Sequence, residues 1–113
     1  MSADPPTSLE SAADWLRKRF DTDAARGVVV AYELDLTGPE GGVLAVRIDD
    51  GRLDARRGPH GVPDARLRIA AADFYGILAG RENAELLFMA NRIQIEGDLS
   101  AAMRFRKFFP RRS

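Results

Sequence analysis

Residues 63–109 read PDARLRIAAADFYGILAGRENAELLFMANRIQIEGDLSAAMRFRKFF, and the changes of period inside this stretch decide the fold. Ala65, Leu67 and Ile69 alternate with Asp64, Arg66 and Arg68, the pattern of a strand with one apolar face. The alternation stops at Ala70. Residues 71–79 are helical in composition and offer Phe74, Ile77 and Leu78 to a core, with Gly80 placed where helices end in a left-handed residue. Asn83 can cap a second helix over 84–90, where Leu86, Leu87, Phe88 and Met89 stand in a row. Four consecutive large apolar residues exceed one helix face. The segment is therefore buried on more than one side, or it shows part of its surface to something apolar other than the core. Residues 92–97 (RIQIEG) return to a period of two with Ile93 and Ile95 inward, and Asp98 is a natural N-cap for a helix over 99–109. In that helix Ala102, Phe105, Phe108 and Phe109 make one stripe and Leu99 with Met103 a neighbouring one.

Working outward, residues 58–63 (GPHGVP) form a loop that contains the lone His60. Before it, a strand is expected from Gly27 to Leu36, with Val28, Val30, Tyr32, Leu34 and Leu36 on one side. A second runs from Val43 to Asp49 and a third from Arg52 to Arg57. Asp50-Gly51 is a tight-hairpin signal, and TGPEGG over 37–42 is dense in turn formers, so these three strands read as an antiparallel meander. A helix precedes them, with a capping box expected at Thr7 and Glu10 and a stripe of Leu9, Ala12, Ala13, Leu16 and Phe20. Trp15 lies partly off that stripe, at the rim of the core or over the mouth of a cavity. Residues 1–6 read as a flexible leader, and 7–113 as a single domain. The order of elements gives an α+β class, a mixed five-stranded sheet with helices packed on one face. The connection between the fourth and fifth strands is long enough for a crossover.

Composition limits the chemistry. A chain of 113 residues closes one core, and 17 basic residues against 17 acidic ones give no overall bias toward nucleic acid. Absence of cysteine removes disulfides, thiolate nucleophiles and sulfur-ligated zinc, and one histidine cannot build a histidine-rich metal site. No metal or other cofactor is expected. There is no secretory signal pattern and no apolar run of membrane-spanning length, so a cytoplasmic protein is expected. TGPEGG lacks the Lys-Ser/Thr ending of a phosphate loop and precedes a strand. Asp49 and Asp50 belong to the hairpin. Asp73 and Tyr75, two apart on a helix, point to different sides and make no acid/base pair, and Asp73 suits the first turn of its helix. A small enzyme would have to be built from His60, Asp73 and Tyr75. The basic residues Arg104, Arg106, Lys107, Arg111 and Arg112 interleave with Phe105, Phe108 and Phe109. They form either a solvated face or a surface for transient membrane contact. The surplus of large apolar side chains over 86–89 and 99–109 reads equally as core or as the lining of an apolar cavity, to which methionine and phenylalanine adapt well.

In sequence order, Pro63-Asp64-Ala65, Asp73-Phe74, Ala79-Gly80, Leu87-Phe88-Met89, Ile93 with Ile95, Gly97-Asp98, and Leu99, Ala102 and Met103 resemble the sterol carrier protein sterol-transfer domain. The resemblance covers about two-fifths of the chain, and the N-terminal helix and meander agree in layout only. It implies a five-stranded sheet covered on one face by helices, with an apolar tunnel between them that holds a sterol, fatty acyl chain, acyl-CoA or isoprenoid, and no catalysis. By position it implies Phe74, Ile77, Leu78, Leu87, Phe88, Met89, Ile93, Met103 and Phe105 as tunnel lining. The chain departs from the pattern at Asn91-Arg92-Ile93, where Gly-Lys-Leu is usual, and in lacking a proline over 81–85. It also lacks a C-terminal peroxisomal signal, which points to a bacterial-type stand-alone protein. The alternative to a lipid carrier is an accessory or dimerisation module that docks a partner in lipid or quinone metabolism, as a homodimer or against an enzyme of that metabolism.

Overall fold

The computed structural model describes residues 6–110. The expected leader, apart from Pro6, lies outside the described residues, as do Arg111 and Arg112 of the basic tail. The elements in order are α1 (Leu9–Arg19), β1 (Val29–Thr37), β2 (Gly42–Asp49), β3 (Arg52–Arg57), β4 (Ala65–Ala70), α2 (Ala71–Ala79), α3 (Ala84–Met89), β5 (Ile93–Gly97) and α4 (Leu99–Arg104), which tightens into a 3-10 turn over Phe105–Phe108. The strands form one sheet in the order β3-β2-β1-β4-β5. β1 and β4 pair in parallel and the other neighbours antiparallel, so the sheet is mixed, as expected. β4 and β5 are antiparallel neighbours although two helices connect them.

The register explains the core. Tyr32, Leu34 and Leu36 of β1 stand opposite Val46, Leu44 and Gly42 on one side and Ala65, Leu67 and Ile69 on the other. Leu67 and Ile69 then face Ile95 and Ile93. Because side chains alternate between faces, these residues form continuous apolar rows on one side of the sheet. α1 covers β2 and β3, α2 covers β1 and β4, and α3 and α4 pack against β5. The outer face carries matched charges: Arg66 bridges Glu33 and Glu96, Arg68 pairs with Asp35 and Arg56 with Asp54. Each pair adds little to stability at the surface, yet together they neutralise that face.

Several boundaries shift for identifiable reasons. The N-terminal capping box is Ser8 with Ser11, one residue later than Thr7 and Glu10. Ser8 Oγ accepts from the Ser11 amide, and Ser11 Oγ accepts from the Ser8 amide. β1 starts at Val29 and not at Gly27, because Gly27 has φ 77° and its amide is taken by Asp50 Oδ1 at 2.7 Å. β5 starts at Ile93 because the Arg92 amide still serves α3, donating to the Leu87 carbonyl, while Asn91 turns the chain at φ 61°. Asparagine tolerates that left-handed conformation better than other side chains, so it can stand where the resembling domains have glycine. Trp15 belongs to the core, with the Arg19 guanidinium 4.4 Å from its ring centroid.

Two short motifs of the sequence converge in space. Asp64 accepts the Ala31 amide on its carboxylate, donates its own amide to the Ala31 carbonyl, and offers its carbonyl to the Asp98 amide. Gly97 lies so close that a Cβ would stand 2.5 Å from that same Asp64 carbonyl oxygen. Pro63-Asp64-Ala65 and Gly97-Asp98 are thus the two halves of one junction that locks β5 and the start of α4 onto β4 and β1.

Candidate functional site

The inner face of the sheet is not evenly covered. Over β1 and β2 the apolar rows are buried beneath α1 and α2, but Leu53 on the β3 edge and, at the β4–β5 end, Leu67, Ile93 and Ile95 are only partly buried. α3 and α4 flank this strip, and their large apolar side chains remain open: Met89 is 76% exposed, Leu86 64%, Met103 54%, Leu99 52% and Phe88 41%. Leu87 alone of α3 reaches the core. An exposed apolar surface of this extent, with a partly open floor between two helices, is what a small apolar ligand would cover.

The helices are held in place by specific bonds. Asn83 caps α3 by accepting the Leu86 amide at 3.1 Å, and Asp98 caps α4 by accepting the Ala101 amide at 3.0 Å. Buried Asp73, in the first turn of α2, binds Arg92 at 2.8 Å and so ties the end of α3 to α2. α4 is anchored through its change of pitch. At Phe105 the backbone amide turns to the Ala102 carbonyl, which frees the Ala101 carbonyl that an uninterrupted α-helix would pair with it. The Tyr32 hydroxyl donates to that carbonyl at 2.6 Å, and the Tyr32 ring meets Phe105 edge-on at 4.9 Å. Burial pushes the Tyr32 hydroxyl up to about 12, partly opposed by the positive charge of Arg104. Phe109 packs between Phe105 and Phe20 with tilted rings, and the Asp21 amide donates to the Phe108 carbonyl, which fixes the 3-10 turn against the segment that follows α1. Across the rim, among the described residues, the exposed ion pair of Arg106 with Glu85 at 2.8 Å joins the 3-10 turn to α3.

The nine residues expected to line a tunnel divide into two groups. Phe74, Leu78, Leu87 and Phe105 are buried in the core cluster, and Ile77 and Ile93 pack partly buried against it. Phe88, Met89 and Met103 are exposed at the rim. Leu67 and Ile95 of the floor and Leu86 and Leu99 of the rim were not in the expected set. The strand alternation together with the β4–β5 register could have found the first two, since they are opposite each other. A hollow of about 290 Å³ lined by Arg19, Phe20, Asp21, Thr22, Asp23 and Pro110 shares no residue with the expected lining. The groups considered for catalysis are not brought together. Asp73 serves Arg92, the Tyr75 hydroxyl donates to the Glu40 carbonyl at 2.6 Å and is raised by burial, and the His60 carbonyl accepts from Arg47. Among the described residues no cluster of three or more His, Asp or Glu could hold a metal, and no helix is long and apolar enough to cross a membrane.

A family model described as the SCP-2 sterol transfer family matches residues 13–110. Among curated protein sequences, none matches the chain. Similar solved structures include the inverting sec-alkylsulfatase Pisa1 from Pseudomonas sp., with a TM-score of 0.81 and 18% identity, covering 95% of this chain. This chain spans only 17% of that enzyme. The palmitated SCP2L2 of Aedes aegypti gives a TM-score of 0.64 at 18% identity, covering 83% of this chain and 90% of that one. A UbiJ-SCP2 ubiquinone synthesis protein gives 0.67 at 13% identity, covering 88% and 90%.

Proposed function

The chain belongs to the SCP-2 sterol transfer family, and from that premise we propose that it is a non-enzymatic carrier of a single lipid, held in an apolar tunnel between α3, α4 and the β4–β5 floor. The observation that carries this reading is the partly uncovered strip of Leu67, Ile93 and Ile95 between two helices that leave Phe88, Met89 and Met103 exposed. In the proposal these close over the ligand, with Phe74, Ile77, Leu78, Leu87 and Phe105 as the inner wall. An acyl chain losing roughly 300 Å² of apolar surface would gain about 7 kcal/mol before the costs of ordering, enough for micromolar binding without a polar anchor. The palmitated state of the Aedes aegypti neighbour favours a fatty acyl chain over a sterol, acyl-CoA or isoprenoid. A cytoplasmic location is part of the same proposal.

The test is uptake of a fluorescent fatty acid, with native mass spectrometry of protein isolated from its host. Phe88→Asp and Met103→Asp should each lower uptake at least tenfold, about 1.4 kcal/mol or more, while the circular dichroism spectrum is kept, because both side chains are exposed in the free protein. Uptake unchanged in both variants would sink the assignment of the site. The second reading, a docking module for a protein of lipid or quinone metabolism or a homodimer, is favoured by the ubiquinone synthesis neighbour. It gains if the native mass is that of a ligand-free dimer.

A further inference from the structure

We infer that Arg92, held by Asp73 at one end of the β4–β5 strip, receives the carboxylate of a fatty acid and so decides which way round the lipid lies. This rests on the carrier reading and adds the head-group chemistry to it. Alternation along β5 would place Arg92 with Gln94 and Glu96 on the outer face of the sheet, where Glu96 meets Arg66. Arg92 goes elsewhere. It precedes the strand, directly after the turn at Asn91, and its Nη2 lies 2.9 and 2.8 Å from the two carboxylate oxygens of Asp73. Asp73 belongs to α2, which packs over β1 and β4. The guanidinium is thereby drawn to the helix-covered side of the sheet, next to Ile93 of the floor and to the end of α3, where the Arg92 amide donates to the Leu87 carbonyl.

The pair is built to position one partner and leave the other available. The Asp73 side chain is 9% exposed and that of Arg92 57%, so a buried carboxylate fixes a guanidinium that still opens to solvent. Both contacts to Asp73 use Nη2, and among the described residues Nε and Nη1 make no hydrogen bond. A guanidinium keeps its charge at any working pH and has donors for more than one acceptor, so a second carboxylate can bind where Asp73 does not reach. The strip has a polarity that suits such a ligand. At its far end Ala65 stands opposite Gly97, and the residues next to them, Asp64 and Asp98, are both acidic. Leu67, Ile93 and Ile95 lie between. An anionic head is favoured at the Arg92 end and disfavoured at the other, whereas a lipid without a charged head leaves Arg92 unused. Burial of the chain still supplies most of the affinity; Arg92 supplies direction and selectivity.

The experiment compares radiolabelled palmitate with its methyl ester, which has the same chain and no charge, in equilibrium binding to the full chain. The quantity read is the ratio of the two affinities. Arg92→Gln should lower that ratio about tenfold, with palmitate losing affinity and the ester bound as before, which also reports that the pocket is intact. Arg92→Lys should restore part of the ratio, and Arg68→Gln on the outer face should leave it at the parent's value. A ratio unchanged in Arg92→Gln would overturn the inference. So would an Arg92→Gln chain that loses the ester to the same extent as the acid, since Arg92 would then be a structural residue. Both of those results leave the carrier reading standing. A parent chain that binds neither lipid refutes the carrier, and the anchor with it.

Discussion

Replacing Tyr32 by phenylalanine isolates the bond that fixes α4. Tyr32 is 1% exposed, and its hydroxyl is the donor for the Ala101 carbonyl released by the change of pitch at Phe105. The variant keeps the ring and its edge contact with Phe105, and leaves a buried carbonyl without that donor. Such a loss costs roughly 1–3 kcal/mol, which for a domain of this size lowers Tm by roughly 4–8 °C per kcal/mol. The pH dependence gives a second readout. Tyrosine in the unfolded chain ionises near 10.0 and buried Tyr32 near about 12, so between those values the unfolded state has lost a proton that the native state keeps. The stability Tyr32 contributes is therefore complete below pH 10 and is lost as pH rises toward 12, at about 1.4 kcal/mol per unit. The variant has no such group. Its deficit relative to the parent should narrow steadily from pH 10 upward, while the raised Tyr75, common to both proteins, cancels. Urea unfolding followed by Trp15 fluorescence at a series of pH values measures this, with the midpoint expected to move and the slope to stay. A deficit below about 0.5 kcal/mol at pH 8, or a deficit constant up to pH 11, would refute the assignment of that bond and its burial.

Gly97→Ala should cost at least about 2 kcal/mol, because φ is +89° and the new Cβ would press on the Asp64 carbonyl; a denaturation midpoint equal to the parent's would contradict it. Asp73→Asn removes the charge facing Arg92. Since the Arg92 side chain is more than half exposed, the expected loss is only about 1 kcal/mol, concentrated as faster amide exchange over 81–92. Amides of β5, an edge strand beneath an open rim, should exchange ahead of those of β1 and β2, and equal protection across the sheet would show a single cooperative unit instead.

The sequence was most readable where one residue does one job. Gly80 ends α2 at φ 83°, Asn83 and Asp98 cap their helices, and Asp50-Gly51 makes its hairpin with both residues at positive φ. The alternation in β1 also placed Val30, Tyr32, Leu34 and Leu36 on the buried side. What stayed hidden depends on distant partners. Nothing local says that β1 takes β4 as a parallel neighbour, or that Tyr32 waits for a carbonyl sixty-nine residues away. The expected helix over 99–109 splits at Phe105 for the same reason, since the stripe of Phe105, Phe108 and Phe109 survives a change of pitch and the backbone bonding does not. Thr7 and Ser8 offer the same chemistry at adjacent positions, and only Ser11 decides between them. At the site, composition announced a surplus of apolar residues, and it could not say which belonged to the core and which to the rim.

The parallel pairing of β1 with β4 also sets the order in which the chain can close. The meander joins neighbours such as Leu36 and Gly42 across a short turn, whereas every β1–β4 pair, from Tyr32 with Ala65 to Thr37 with Ala70, is separated by 33 residues. Closing a loop of that length costs about 3 kcal/mol in chain entropy before any contact repays it. The meander can form on contacts between sequence neighbours; the pairing of β4 with β1 must wait for that closure, and the docking of α1 on β3 for a longer one, 38 residues from Arg17 to Ala55. The strip proposed as the ligand floor is thus built on strands that join the sheet after the meander has formed.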